Sequence, residues 1–197
     1  MDKSDTIARV CNALAQGDDQ NAAQILESEY PFEAVPVNKR TYSKFQRTMI
    51  FIRDGFVDRY SGNRVVFPPV LNLISELLPD QFPAHRNWKM SVSHMAYWEL
   101  SPMIDHVVPI ARGGKDEESN WVTSSPLSNS KKANWTLEEL GWELKPPGDI
   151  GEWDGMLNWF LAFIDKDKSI IEREFVAGEI KSWYHAAVRA AKEMNSV

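Results

Sequence analysis

The chain has 197 residues, 43% of them hydrophobic and 25% charged, with a formal net charge of −6 and one cysteine, Cys11. Such a chain fits one folded domain, or a compact core with helical extensions, and is not polar enough to stay disordered. The lone cysteine excludes an intrachain disulfide and any zinc site built on two or more cysteines. No apolar run approaches the roughly 20 residues that span a bilayer, and MDKSDTIARV lacks a signal-peptide layout, so a cytoplasmic protein with no membrane partner is expected.

Residues 4–30 read as two short helices, with apolar spacing through Ile7, Val10 and Leu14, a break at Gly17-Asp18, then Ala22, Ala23, Ile25 and Leu26. After Pro31 and Pro36 a second helical pattern runs from about Tyr42 through Ile52 and stops before Gly55. From Lys39 to Arg64 the basic residues Lys39, Arg40, Lys44, Arg47, Arg53, Arg59 and Arg64 face only Asp54 and Asp58, which reads either as a phosphate-binding patch or as a solvated helix face. Phe67-Pro68-Pro69 precedes VLNLISELLP, a helical stripe expected in the core.

From Met103 to Val122 the texture changes. An apolar run Ile104–Ile110 carries Asp105-His106, a turn follows at Arg112-Gly113-Gly114, and Asn120-Trp121-Val122-Thr123 reads as a second strand. A polar helix is expected from Leu127 or Ser128, a capping box stands at Thr136–Glu139, and Pro146-Pro147-Gly148 marks a boundary. Residues 152–195 carry two or three amphipathic helices.

On the residues alone, an Asp-His pair in an apolar strand is more often a hydrogen-bonded structural pair than a site. Adjacent strand residues also point to opposite faces, so a shared role needs a strand end or a bend. The wider pattern adds weight. The segment IDHVVPIARGGKDEESNWVTSSPLSNSKK resembles the HNH endonuclease family, in which Asp-His, a Pro, a Gly-Gly, a later Asn and a His or Asn on the next helix recur together. His106 and Asn120 are fourteen positions apart, Asn120 and Asn129 nine, and Lys132 lies three beyond Asn129. The resemblance spans residues 48–140 and is strongest from Asp105 to Lys132.

The resemblance implies a β-hairpin packed on a helix around one metal, acting on nucleic acid, DNA before RNA. His106 would be the general base; Asn120 would hold the hairpin and orient His106. Asp105 and Asn129 would ligate one divalent cation through hard oxygens, Mg²⁺ before Mn²⁺. Arg112, Lys131 and Lys132 are candidate phosphate contacts. Many relatives carry two Cys pairs around a structural zinc; here Asp58 and Ser61 stand at the first pair and Ser125 and Ser128 at the second, so no structural zinc is expected. Trp88, Trp98, Trp121, Trp135 and Trp142 are expected to supply packing in its place. His85 and His185 are read as structural or surface residues; His94 and Glu99 are minor candidates near the motif.

The expected architecture is therefore α+β, predominantly helical with a small central ββα-metal unit. The expected segments are an N-terminal helical extension (1–47), an HNH nuclease core (48–145) and a C-terminal helical region packed on it (146–197). The competing reading is a non-cleaving nucleic-acid-binding or assembly protein on the same scaffold. A homodimer would allow cuts on both strands.

Overall fold

The computed structural model describes residues 2–32, 41–85, 87, 89–172 and 177–194, so Lys39, Arg40 and Trp88 lie outside the described residues. The chain divides into two compact units, Met1–Arg40 and Thr41–Val197. The first boundary thus falls before the helix that carries residue 47, not inside it.

The N-terminal unit is a helical hairpin, α1 (Lys3–Ala15) and α2 (Asp19–Glu29). Asp2 and Asp18 cap the two helices by accepting backbone N–H bonds from Ser4 and Asn21. Val10, Ala13 and Ala22 are buried, with Ile25 packed against them.

The larger unit begins with α3 (Lys44–Arg53), opened by a capping box between Ser43 and Gln46. Gly55 ends it at φ +61, and a Cβ there would lie 2.1 Å from the Gly148 carbonyl oxygen. Only glycine lets the 146–148 segment cross at that distance. A tight turn follows, closed by the Val57–Arg64 bridge, then α4 (Pro68–Leu77) with prolines in its first turn, and the short α5 (Ala96–Glu99). Next come β1 (Met103–His106) and β2 (Trp121–Ser124), antiparallel and in register from Met103↔Ser124 to His106↔Trp121. Then follow α6 (Pro126–Lys132), α7 (Leu137–Leu140), α8 (Leu157–Lys166) and α9 (Ala177–Met194). The protein is mostly helical with one two-stranded sheet, an α+β architecture.

β1 is shorter than the Ile104–Ile110 run suggested. Beyond His106 the backbone of Val108 bonds to the side chain of Asn120 instead of to a strand, and a 3₁₀ turn takes over at Ile110. One buried cluster joins Phe51, Phe56, Val65 and Phe67 to Leu157, Phe160, Ile164 and Trp183. Helices on either side of the proline-marked boundary near 146 share this core. The tryptophans around the motif do not fill it. Trp135 is 50% exposed and Trp98, Trp121 and Trp142 are only partly buried, whereas phenylalanines and Trp183 of α9 occupy the centre. Among the described residues no helix is long and apolar enough to cross a membrane.

Asp58, Ser61, Ser125 and Ser128 are joined in one hydrogen-bond network around a buried carboxylate. Asp58 Oδ1 accepts the N–H groups of Tyr60 and Ser61 at 3.0 and 3.2 Å. Asp58 Oδ2 accepts the N–H of Ser125 at 3.1 Å and its hydroxyl at 2.8 Å. Ser125 Oγ in turn accepts the Ser128 N–H and caps α6. Hydrogen bonds to an ionised group contribute about 1.5–3 kcal/mol each, and removing their common acceptor strands buried donors. Asp58→Ala is expected to lower the unfolding free energy by about 3 kcal/mol or more, read by urea denaturation. The combined Asp58→Cys, Ser61→Cys, Ser125→Cys and Ser128→Cys variant is expected to bind one Co²⁺ with the visible absorption of a tetrahedral thiolate site; an octahedral spectrum would mean that the four positions do not converge.

Candidate active site

β1 ends at His106, so Asp105 and His106 project to opposite faces and meet different partners. On one face Asp105 Oδ2 accepts the Tyr60 hydroxyl at 2.6 Å and the Lys132 ammonium at 3.0 Å. Burial, then the neighbouring charge and hydrogen bond of Asp105, push the Tyr60 phenol far above its ordinary value, so it remains a donor. Lys132 also donates to the His106 carbonyl at 2.7 Å and is fully buried. It is not a surface phosphate contact as its place in the sequence suggested; its charge is enclosed and compensated.

Asn129 lies one turn before Lys132 on α6, so the two share a face. Its amide donates to Met103 Sδ at 3.5 Å, and Met103 lies on the same face of β1 as Asp105. The helix therefore meets the strand with Asn129 against Met103 and Lys132 against Asp105. Among the described residues nothing bonds to Asp105 Oδ1 or Asn129 Oδ1. Carboxylate and amide oxygens are the hard donors that Mg²⁺ takes, one or two at a time, together with several waters and substrate phosphate. No group of three or more His, Cys, Asp or Glu side chains among the described residues could hold a cation by themselves.

On the other face, His106 Nε2 lies 2.8 Å from Asp116 Oδ1 and 3.3 Å from the Tyr42 hydroxyl. The same Asp116 oxygen accepts from Tyr42 at 2.6 Å and from the Trp121 indole N–H at 2.9 Å. The bond from Tyr42, with those from His106 and Trp121, holds the Asp116 carboxyl below the usual carboxylate range. Asp116 and Tyr42 escaped the sequence reading. The one available signal was an acid ten residues after His106 in the loop that the glycines must fold back.

Asn120 closes that loop. Its Oδ1 accepts the Val108 N–H at 2.9 Å, and its Nδ2 donates to the carbonyls of Val108 at 2.9 Å and Lys115 at 2.8 Å. A Cβ on Gly114 would lie 1.9 Å from the Val108 oxygen, so the closure requires glycine there. No hydrogen bond joins the Asn120 side chain to the His106 ring, which bonds instead to Asp116 and Tyr42.

Of the remaining expected cations, Lys131 is exposed on α6. Arg112 is exposed but pairs with Glu139 at 3.3 Å and lies 5.8 Å from the centre of the Trp135 ring. From Lys44 to Arg64 each basic side chain has a partner within the fold, although Arg53 and Arg64 stay exposed. Arg53 and Arg59 each reach Asp54 at 3.0 Å, and Lys44 reaches Glu179 at 2.7 Å. Arg47 and Arg64 lie over Trp183 and Trp153. His94 stacks on Phe82, His85 accepts the Asn87 N–H, His185 meets the Tyr184 ring, and Glu99 is exposed. None of these joins the Asp105 or His106 clusters.

No family model, no curated protein and no solved structure matches the chain.

Breaking a buried ion pair from one side costs about 3–5 kcal/mol, because the partner charge stays behind. Lys132→Met is therefore expected to destabilise the protein by about that much in urea denaturation, and adding Asp105→Asn is expected to restore part of the loss. A loss under about 1 kcal/mol would mean that the ammonium reaches water.

Proposed function

We propose that the protein is a metal-dependent HNH-type endonuclease that hydrolyses phosphodiester bonds of DNA. The observation that carries this reading is the assembly of Asp105, His106, Asn120, Asn129 and Lys132 on one β-hairpin and the helix behind it, with Asn129 and Lys132 turned toward β1. In this reading a water oxygen attacks phosphorus and passes its proton to His106. The bond from phosphorus to the 3′ oxygen breaks, and the leaving oxygen takes a proton from solvent, giving 5′-phosphate and 3′-hydroxyl ends. A cation held by Asp105 and Asn129 would supply charge neutralisation at phosphorus and at the leaving oxygen. Lys131 and Arg112, both solvent-facing, are the side chains left to meet the backbone phosphates.

One observation favours a second reading, a nucleic-acid-binding protein that does not cut. Lys132 already neutralises Asp105, and an ammonium on the same carboxylate opposes a divalent cation beside it.

Supercoiled plasmid incubated with the purified protein and Mg²⁺, Mn²⁺ or EDTA separates the two. The nuclease reading expects nicking or linearisation that EDTA abolishes and that His106→Ala slows about 10²–10⁴-fold. Retention of plasmid on the protein without any cleavage in either metal would favour the binder.

A further inference from the structure

The bonds around His106 carry more than its orientation. Three donors converge on one oxygen, Asp116 Oδ1: the Tyr42 hydroxyl, the Trp121 indole and a ring nitrogen of His106. The indole N–H can only donate, and an ionised carboxylate can only accept. With the carboxyl held ionised by these donors, the His106 nitrogen facing it at 2.8 Å must carry the hydrogen. In the neutral imidazole that nitrogen is Nε2, which leaves the lone pair on Nδ1. No described residue donates to Nδ1, and the imidazole side chain keeps 7% of its exposure.

We infer that Asp116 is the positioning residue of this site, selecting the Nε2–H tautomer of His106 so that Nδ1 is the atom that takes the proton from water. The consequence for cleavage rests on the nuclease reading; the tautomer does not. The arrangement follows the logic by which a carboxylate behind a catalytic imidazole fixes its tautomer and steadies the imidazolium that forms. Here the proton taken from water would sit on Nδ1 while Nε2–H stays on Asp116, so the charge that develops on the ring lies beside a fixed negative charge. Tyr42 and Trp121 act one step further out. They leave Asp116 Oδ1 no freedom to turn away from the ring, although 41% of the Asp116 side chain is exposed.

The test reads the tautomer directly. Long-range ¹H–¹⁵N correlation on the ¹⁵N-labelled, metal-free full chain at neutral pH distinguishes the two nitrogens, and His106→Ala assigns His106 among the four histidines. The wild type is expected to show neutral His106 protonated at Nε2, and Asp116→Ala a mixture of both tautomers with the thermal midpoint little changed. In plasmid cleavage, Asp116→Ala is expected to lower kcat about 10–100-fold with KM nearly unchanged, and Asp116→Glu to recover part of it. A wild type protonated at Nδ1, or an Asp116→Ala variant that keeps both the Nε2–H tautomer and the full rate, overturns the assignment. A wild type with the expected tautomer, lost in Asp116→Ala, that cuts no plasmid overturns the nuclease reading while supporting the positioning by Asp116.

Discussion

Two strands of four residues cannot hold a shape by themselves in water, so everything at this site depends on what pins the hairpin from outside. The pins are two buried carboxylates at the end of α3. Asp54 Oδ2 accepts the Thr123 N–H at 2.7 Å, and the Arg59 N–H reaches the Thr123 carbonyl at 2.9 Å, so β2 finds partners on its outer edge. Arg53 spans from Asp54 to the carbonyls of Trp121 and Glu118. Asp58 then fixes Ser125, where α6 begins, and α6 sends Lys132 back to Asp105 and the end of β1. The path closes on itself: carboxylates hold β2 and α6, and α6 holds β1.

Burying charge costs several kcal/mol per ion unless the environment answers it, and the three acids here are answered in three ways. Asp54 has two guanidinium groups. Among the described residues no cation pairs with Asp58, which relies on backbone N–H groups and a hydroxyl. Asp105 has one ammonium and one phenol. The demand explains where the basic residues go. Part of the run of Lys and Arg that looks like a nucleic-acid surface in the sequence is taken up by this demand: Arg59, 14% exposed, and Arg53, 39% exposed, both pair with Asp54.

How much of this was legible follows from the range of the interactions concerned. One helix start was, because caps act over three residues: the Thr136–Glu139 box forms as the sequence suggests, and the Ser43–Gln46 box obeys the same short-range rule though it was not read. The strand–loop–strand order was legible from the apolar run and the glycines, while a hairpin-holding role for Asn120 came only from the family resemblance. The burial of Lys132 was not, since nothing local distinguishes it from the exposed Lys131; only the approach of α6 to β1 does. Asp116 and Tyr42 were hidden for the same reason, being 10 and 64 positions from His106. The tryptophans misled because their size suggests a core, while the actual core is closed by α8 and α9, which lie far from the motif in sequence.

The opposition of Asp105 and His106 across the strand end sets what the site can do. Strand alternation separates their side chains, and among the described residues no hydrogen-bonding group joins the two side chains; in the nuclease reading the reacting phosphate would lie across the end of β1, with its oxygens toward Asp105 and its attacking water toward His106. Lys132 shapes the energetics of that approach. Two unit positive charges 4 Å apart repel by about 4 kcal/mol at an effective dielectric of 20, so a divalent cation beside Asp105 is opposed by the ammonium that already neutralises it. A phosphate brings negative charge to the same place and removes much of that opposition. In the nuclease reading, cation and nucleic acid therefore favour each other's binding, and the buried lysine opposes the cation more in the free protein than when the substrate is present.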